Sequence, residues 1–318
     1  MIRVAITGSS GFVGASLLRS LRDGSESKYY VVSLARENRD AADNFVKFDL
    51  SSEFQVESDI VNTDVIVHCA ARVHQMSDRA SESDNQYVQS NVEATTRLAH
   101  QAAAAGVKRF IFLSSVKAIG ESTYGSEAFQ FDSAYNPEDP YGASKAEAEQ
   151  ELLNIAEKTG MEVTIIRAPL VYGPGVKANF ASLLKLAERN LPLPLGSINN
   201  LRSLVGIQNL VDLIVTCIDH PKAGNQNFMV SDGEDVSTSE LLREMTRAYG
   251  KKPRLIPFPT SVMSIAAKVL GKQAISERLF GSLRVDIEHT KCTLGWSPKV
   301  TLQEELERCV AHMKGQDS

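Results

Sequence analysis

Tyr141 and Lys145 stand four residues apart in the stretch YGASK. On a helix that spacing puts both on one face, one turn apart. An ammonium held close to a phenol favours the phenolate and lowers the tyrosine pKa. A tyrosine tuned in this way passes a proton to or from a hydroxyl near neutral pH. Taken alone, Y-x-x-x-K reads as readily as a surface pair on a helix. Ser115 adds to it, because it closes the run FIFLSS, where a strand-end hydroxyl can hydrogen-bond a reacting oxygen. Ser114 competes for that role, and either serine could instead cap the strand end.

A second constellation is TGSSGFVG, with glycines at 8, 11 and 14 directly after the apolar run IRVAI. Three glycines between a strand and a helix suit a phosphate-binding turn. The first permits a sharp turn, the second a close backbone approach to a pyrophosphate, the third tight packing of helix on strand. The helix N-terminus then offers N–H groups and partial positive charge. The spacing is G-x-x-G-x-x-G, one residue longer in its first gap than the common dinucleotide pattern. The next apolar strand ends SLARENRD, with Arg36 where an acid would meet a ribose. An arginine there pairs with a 2′-phosphate and stacks on adenine, which favours NADP(H) over NAD(H). The alternative leaves Arg36 to solvent and gives the ribose to Glu37 or Asp40. Asp49 in FDL is placed to reach the adenine amino group, or is a surface aspartate. Phe12 and Val13 within the turn and Leu50 after Asp49 complete the residues assigned to the dinucleotide.

The elements that must hold these residues follow from the apolar pattern. Strands are predicted at 2–6, 29–34, 45–48, 64–69, 109–114 and 162–167, with long amphipathic helices at 85–105 and 141–158. Nearly all-apolar strands alternating with helices mean a parallel sheet covered on both faces. Right-handed crossovers make it an α/β, doubly wound, Rossmann-like sheet. After about residue 233 the pattern is mainly helical. The expected division is a dinucleotide domain of 1–174 plus about 203–232, and a smaller, mainly helical substrate domain of about 175–202 and 233–318.

Bulk properties exclude several classes. A net charge of −5 gives no nucleic-acid footprint. No apolar run approaches the ~20 residues of a membrane span. Cys69, Cys217, Cys292 and Cys309 form no CxxC pair and read as reduced thiols. The first strand begins at Ile2, leaving no room for a signal peptide, so a cytoplasmic location is expected. Nothing in the pattern suggests a metal site.

These stretches, in order, resemble the extended short-chain dehydrogenase/reductases that act on nucleotide sugars, the epimerase/dehydratase family. The likeness rests on TGSSGFVG, VIVHCAARVH, NVEAT, FLSSVKAIGE, DPYGASKAEAE, IIRAPLVYGPG, RSLVGIQNLVDLI and LGWSP, and covers nearly the whole chain. It implies a Ser115–Tyr141–Lys145 triad, with hydride exchanged between nicotinamide C4 and a sugar carbon and Lys145 also holding the nicotinamide ribose. It implies a structural role for Asn91, cofactor-lining roles for Ala70 and Ala71, and a place beside the nicotinamide for Pro169 and Leu170. Family dehydratases carry an Asp-Glu pair after the active-site hydroxyl residue; here Val116 and Lys117 follow Ser115, which argues against dehydration. Cys69 and His74 are not where epimerase-reductases of the GDP-fucose type keep their Cys/His pair, and His74 reads as a loop residue near the substrate mouth.

The nearest subgroup is UDP-glucose 4-epimerase-like and bacterial, and includes enzymes that look like 4-ketoreductases of UDP-4-keto-6-deoxy-N-acetylhexosamines. Arg36 tilts the reading toward such a reductase in surface-polysaccharide synthesis. The alternative is a UDP-glucose or UDP-N-acetylglucosamine 4-epimerase with retained NAD. A non-catalytic dinucleotide-binding regulator on the same fold is the third reading. Resemblance further assigns the substrate diphosphate to Arg202, Arg278 and Asn179; a guanidinium suits phosphate geometrically. It also implies a homodimer through the helices at 85–105 and 141–158, where Leu152, Leu153 and Ile155 lie beside alanines. Trp296 reads as a core anchor.

Overall fold

The computed structural model describes residues 1–23, 28–38, 42–72, 85–263 and 279–315. Seven strands make the main sheet: β1 (Ile2–Thr7), β2 (Tyr29–Ala35), β3 (Asn44–Lys47), β4 (Val65–His68), β5 (Arg109–Ser115), β6 (Glu162–Ala168) and β9 (Gln226–Met229). Their order is β3-β2-β1-β4-β5-β6-β9, and every neighbouring pair is parallel. This is the doubly wound, Rossmann-like sheet the alternation of apolar runs predicts. The order reverses direction at β1, next to β4, so a crevice opens at the carboxyl ends of those strands.

Both faces are buried. Val4 and Ile6 of β1 face one layer with Leu17, Leu21, Leu210 and Ile214. The last four belong to α1 (Phe12–Arg22) and α5 (Ile207–Asp219). Ala5 faces the other layer with Leu98, Ala99, Leu152 and Ile155. These come from α2 (Ala94–Ala104) and α3 (Pro140–Thr159). The alternation follows from the two-residue period of a strand. Leu152 and Ile155 therefore point into the chain's own core, and only Leu153 of the three leucine-isoleucine positions is exposed.

A second, three-stranded sheet runs β10-β8-β7, from β7 (Leu170–Tyr172), β8 (Arg202–Gly206) and β10 (Asp235–Val236). Around it pack α4 (Ala178–Arg189), α6 (Thr238–Ala248) and α8 (Leu302–Met313). Tyr172, Phe180, Leu184, Leu204, Leu242, Met245 and Leu306 form the separate core of this lobe. Residues 203–232, expected as one block of the dinucleotide domain, divide: β8 joins the small sheet, whereas α5 and β9 belong to the large one. After α7 (Glu288–Leu294), Trp296 is buried and its indole N–H donates to Asp212 at 2.8 Å. The four cysteines are unpaired. Among the described residues no helix is long and apolar enough to cross a membrane, and no group of acidic, histidine or cysteine side chains could hold a metal.

Candidate active site

The site lies along the carboxyl edge of the main sheet. After β1 the chain turns through Gly8, whose φ of +66° suits a residue without Cβ. The Gly11 N–H donates to the Gly8 carbonyl at 2.9 Å, closing the turn. A Cβ on Gly14 would fall 2.2 Å from that same carbonyl oxygen, so α1 approaches the turn only because residue 14 is glycine. Gly11 is the N-cap of α1 and no side chain caps the helix. A glycine N-cap offers no side-chain acceptor to the N–H groups of the first turn, an arrangement that suits a pyrophosphate. Gly8 lies against Ala70, just past β4, and the Ala70 N–H donates to Thr7 Oγ1 at 3.2 Å. Phe12 and Val13 are half-buried against the core below, and Leu50 likewise on the other face. Arg36 is exposed immediately after β2. Asp49 lies close enough to feel its charge, but Asp49 Oδ1 already accepts from the Ser51 N–H (3.0 Å) and hydroxyl (2.8 Å), which hold the carboxyl below its usual range.

At the end of β5 the two serines separate. Ser114 is buried and its hydroxyl donates to Glu149, whose carboxylate is paired with Arg167 at 2.7 Å in full burial. Ser115 is the partly exposed one, in register with Ala168 of β6 beside buried Pro169. It opens a 3₁₀ turn, Val116–Ala118, and its Oγ accepts the Lys117 N–H at 3.2 Å. The Ser115 hydroxyl hydrogen is left to donate elsewhere.

The helix α3 carries Tyr141 and Lys145. Its start is written locally: Asp139 caps it, accepting the Gly142 N–H at 2.6 Å, and Pro140 occupies the first turn. The lysine differs from expectation. Lys145 is buried, and its ammonium donates to the Leu113 carbonyl at 2.9 Å while sitting 4.4 Å over the Phe112 ring. Burial lowers its pKa to about 8, against the pull of Glu149 and Cys69. Tyr141 is correspondingly not a tuned phenolate here: burial, then Asp139 and Tyr87, raise its pKa. The four-residue spacing puts both side chains on one face, and one of the three ammonium donors goes to a backbone carbonyl of β5. The Tyr87 ring meets Tyr141 edge-on at 6.1 Å.

Tyr87 precedes a π-helical turn, Val88–Glu93, that interrupts the helix expected at 85–105. Asn91 in that turn accepts the Arg72 N–H at 2.8 Å and donates to the Arg72 carbonyl and to Ser144 Oγ at 3.1 and 3.0 Å. It thus ties the Ala70–Ala71 segment to α3. Behind them buried His68 bridges Thr7 and Thr95 at 2.7 and 3.0 Å. Burial and Lys145 push its pKa down to about 3, so it stays neutral. The neighbouring Cys69 thiol is pushed up to about 12 by burial.

On the small lobe, Arg202 begins β8 and donates to the Gly281 carbonyl at 3.2 Å. Burial lowers its pKa, and Glu121 opposes that. Asn179 is exposed at the second residue of α4. Leu170 is exposed at the head of β7. Arg278, His74 and Asp40 lie outside the described residues. The structure thus gathers the glycine turn, Ala70, Ser115, Tyr141, Lys145 and Pro169 along one edge of the sheet. Sequence reasoning passed over Asp139, although DPY is a readable helix start, and noted Lys117 only as a departure.

The model of the NAD dependent epimerase/dehydratase family matches residues 4–231. A UDP-glucose 4-epimerase of Vibrio cholerae is 51% identical over 308 residues, covering 96% of this chain and 93% of the relative. A UDP-glucose 4-epimerase of Mycolicibacterium smegmatis is 30% identical over 334 residues, 97% of each chain. Among solved structures, UDP-glucuronic acid 4-epimerase of Bacillus cereus in complex with NAD superposes with a TM-score of 0.78 at 19% identity, over 99% of this chain and 100% of that one. UDP-glucose 4-epimerase of Thermotoga maritima with UDP-glucose gives 0.77 at 21%, over 99% of both. These two likenesses speak for the fold.

Proposed function

The chain belongs to the NAD-dependent epimerase/dehydratase family, and we propose that it inverts the C4 hydroxyl of a UDP-hexose with NAD retained in the crevice. This is the alternative of the sequence reading rather than its first choice of a 4-ketoreductase. The observation that carries it is the likeness to the Vibrio cholerae 4-epimerase, 51% identical over 96% of this chain.

The residues fit the coenzyme. The turn at Gly8, Gly11 and Gly14 is a cradle that a single Cβ would fill, and it sits at an uncapped helix start. Gly8, Gly11, Gly14, Ala70 and Pro169 would hold the dinucleotide, with Arg36 and Asp49 at its adenosine end. NAD bound there supplies a hydride acceptor and donor for sugar C4. The chain's own part is proton handling at O4. Ser115, its acceptor side taken by the Lys117 N–H, donates a hydrogen bond to O4. Tyr141 would take the O4 proton when C4 is oxidised and give it back when C4 is reduced, so the first step needs its phenolate. Burial opposes that form, and Lys145, one turn along with a pKa of about 8, is the chain's own source of the positive charge that favours it. Arg202, with Asn179, takes the diphosphate. The lobe around β7, β8 and β10 is then the substrate lobe. A homodimer through α2 and α3 belongs to the same reading, across a groove lined by Glu93, Arg97, His100, Glu147 and Glu151.

One observation favours the second reading. Arg36 stands exposed where β2 ends, suited to a 2′-phosphate and hence to a reductase using dissociable NADPH. The two readings separate when purified protein is denatured and the released nucleotide is identified by mass and absorbance. Released NAD at near one per chain supports the epimerase. Empty protein that binds NADPH more tightly than NADH overturns it in favour of a UDP-4-keto-sugar reductase.

A further inference from the structure

Lys117 touches both halves of the site without being part of the triad. Its N–H donates to Ser115 Oγ at 3.2 Å. Its ammonium bridges Glu121 at 2.9 Å and Asp139 at 2.6 Å. Asp139 is the N-cap of the helix carrying Tyr141 and accepts the Gly142 N–H with its other oxygen. Gly142 packs so closely on the Lys117 carbonyl that an added Cβ would fall 2.4 Å from it. The segments are laced again by the Asn136 N–H on the Ala118 carbonyl (3.3 Å) and the Glu121 N–H on Glu138 (3.1 Å). Glu121 in turn faces Arg202 electrostatically. One residue thus orients the serine hydroxyl through its backbone and seats the tyrosine's helix through its side chain.

We propose that Lys117 is a positioning residue that fixes the separation and orientation of the Ser115 and Tyr141 hydroxyls, with Glu121 and Asp139 as its two anchors. The proposal rests on the reading of Ser115 and Tyr141 as the proton-handling pair. A misplacement of about 1 Å at such a pair lowers turnover by as much as about 100-fold.

The test is steady-state kinetics of holoenzyme Lys117→Met, Lys117→Arg, Asp139→Asn and Tyr141→Phe, on whichever turnover wild type shows, epimerisation of UDP-galactose or reduction of a UDP-4-keto sugar. Lys117→Met should lower kcat by about 10- to 100-fold with KM within about twofold. Lys117→Arg, which still reaches two carboxylates, should recover most of it. A pH profile adds a readout that loss of stability does not move. Among the described residues the titratable groups that act on the Tyr141 phenol are Asp139 at its own helix cap and Tyr87 from the preceding helix. Without the Lys117 charge, Asp139 acts on the phenol less opposed, so the limb assigned to Tyr141 moves to higher pH. In Asp139→Asn, which keeps the cap acceptor and removes the charge, it moves to lower pH. Wild-type kcat and profile in Lys117→Met, with Tyr141→Phe inactive, overturn the positioning role and leave the site reading standing. An active Tyr141→Phe overturns the site reading and this proposal with it. Should Lys117→Met not fold, the opposite-signed shift in Asp139→Asn and a lowered kcat in Glu121→Gln decide in its place.

Discussion

The glycine turn and the edge that carries Ser115, Tyr141 and Lys145 lie beside one another at the same end of the sheet, yet they are held by opposite means. The turn is held by what is missing. Gly8, Gly11 and Gly14 bring backbone against backbone, and the turn closes on the Gly11 N–H to the Gly8 carbonyl. The edge is held by what is present. Behind Ser115, Arg167 and Glu149 pair in full burial, Arg167 reaches the Phe131 carbonyl at 3.0 Å, and Ser114 joins the same carboxylate. In front, Lys117 and Asp139 clamp the start of α3. A phosphate needs only aimed N–H groups, which backbone supplies. Proton transfer needs hydroxyls fixed to within fractions of an ångström, and side-chain networks fix them.

The comparison breaks most sharply at Arg167. Arg167→Met leaves the buried Glu149 carboxyl without its ion-pair partner. Removing one member of a buried pair costs about 3–5 kcal/mol, whereas replacing both with apolar residues of similar size is close to neutral. Arg167→Met should therefore unfold at much lower denaturant than wild type, and Arg167→Met with Glu149→Leu should recover much of the difference. A single variant within about 1 kcal/mol of wild type would mean the edge is not built on that charge.

The turn is tested by adding one methyl. In Gly14→Ala the new Cβ meets Gly8 O at 2.2 Å, Gly8 C at 2.7 Å and Ser9 Cα at 2.9 Å, all backbone. The turn must open or the helix retreat, at a cost of about 1–3 kcal/mol. Coenzyme affinity, read by titration, should fall at least about tenfold. Gly11→Ala separates packing from ligand approach: its Cβ meets only the Gly8 oxygen, at 3.1 Å, so its unfolding should stay close to wild type whatever the coenzyme affinity does. Equal losses of stability in the two variants would show that the turn is not held by this packing.

The same contrast explains what the sequence disclosed. The glycine turn is a local device, spread over residues 8–14, so its spacing announces it. The parallel strands are legible because burial on both faces makes each a continuous apolar run. At the edge, spacing identified Tyr141 and Lys145 but not where the ammonium goes; it goes to Leu113, 32 residues earlier. Ser114 and Ser115 look alike in sequence, and a carboxylate 35 residues away distinguishes them. Lys117 and Asp139 are 22 residues apart, too far for any periodicity to couple them. Leu152 and Ile155 suited an outward interface by type, but the sheet claims them. Long-range polar partners were the part that only the folded chain could supply.

The small lobe sharpens the comparison, because there a buried charge goes only partly answered. Glu305 of α8 is fully buried against Gly173 and Gly206, and its Oε1 has no hydrogen-bond partner. Oε2 is 3.4 Å from Arg308, which is itself substantially exposed. Burial first, then neighbouring Asp232, raise the Glu305 pKa to about 7, and Arg308 only partly opposes them. The sign follows. An acid whose folded pKa lies above its unfolded one binds its proton more tightly in the folded state. Its contribution is fully present below the unfolded value, near 4.5, and is lost as pH rises through about 7. Wild type should thus lose roughly 2–3 kcal/mol of stability to this one group between about pH 5 and pH 8. Glu305→Gln carries no proton to lose and should lack that part of the slope, while Asp232 titrates in both. Unfolding free energies of the two proteins at about pH 5 and pH 8 give the measurement. Curves that run parallel would mean Glu305 finds a partner for its charge, as Glu149 finds Arg167 behind Ser115.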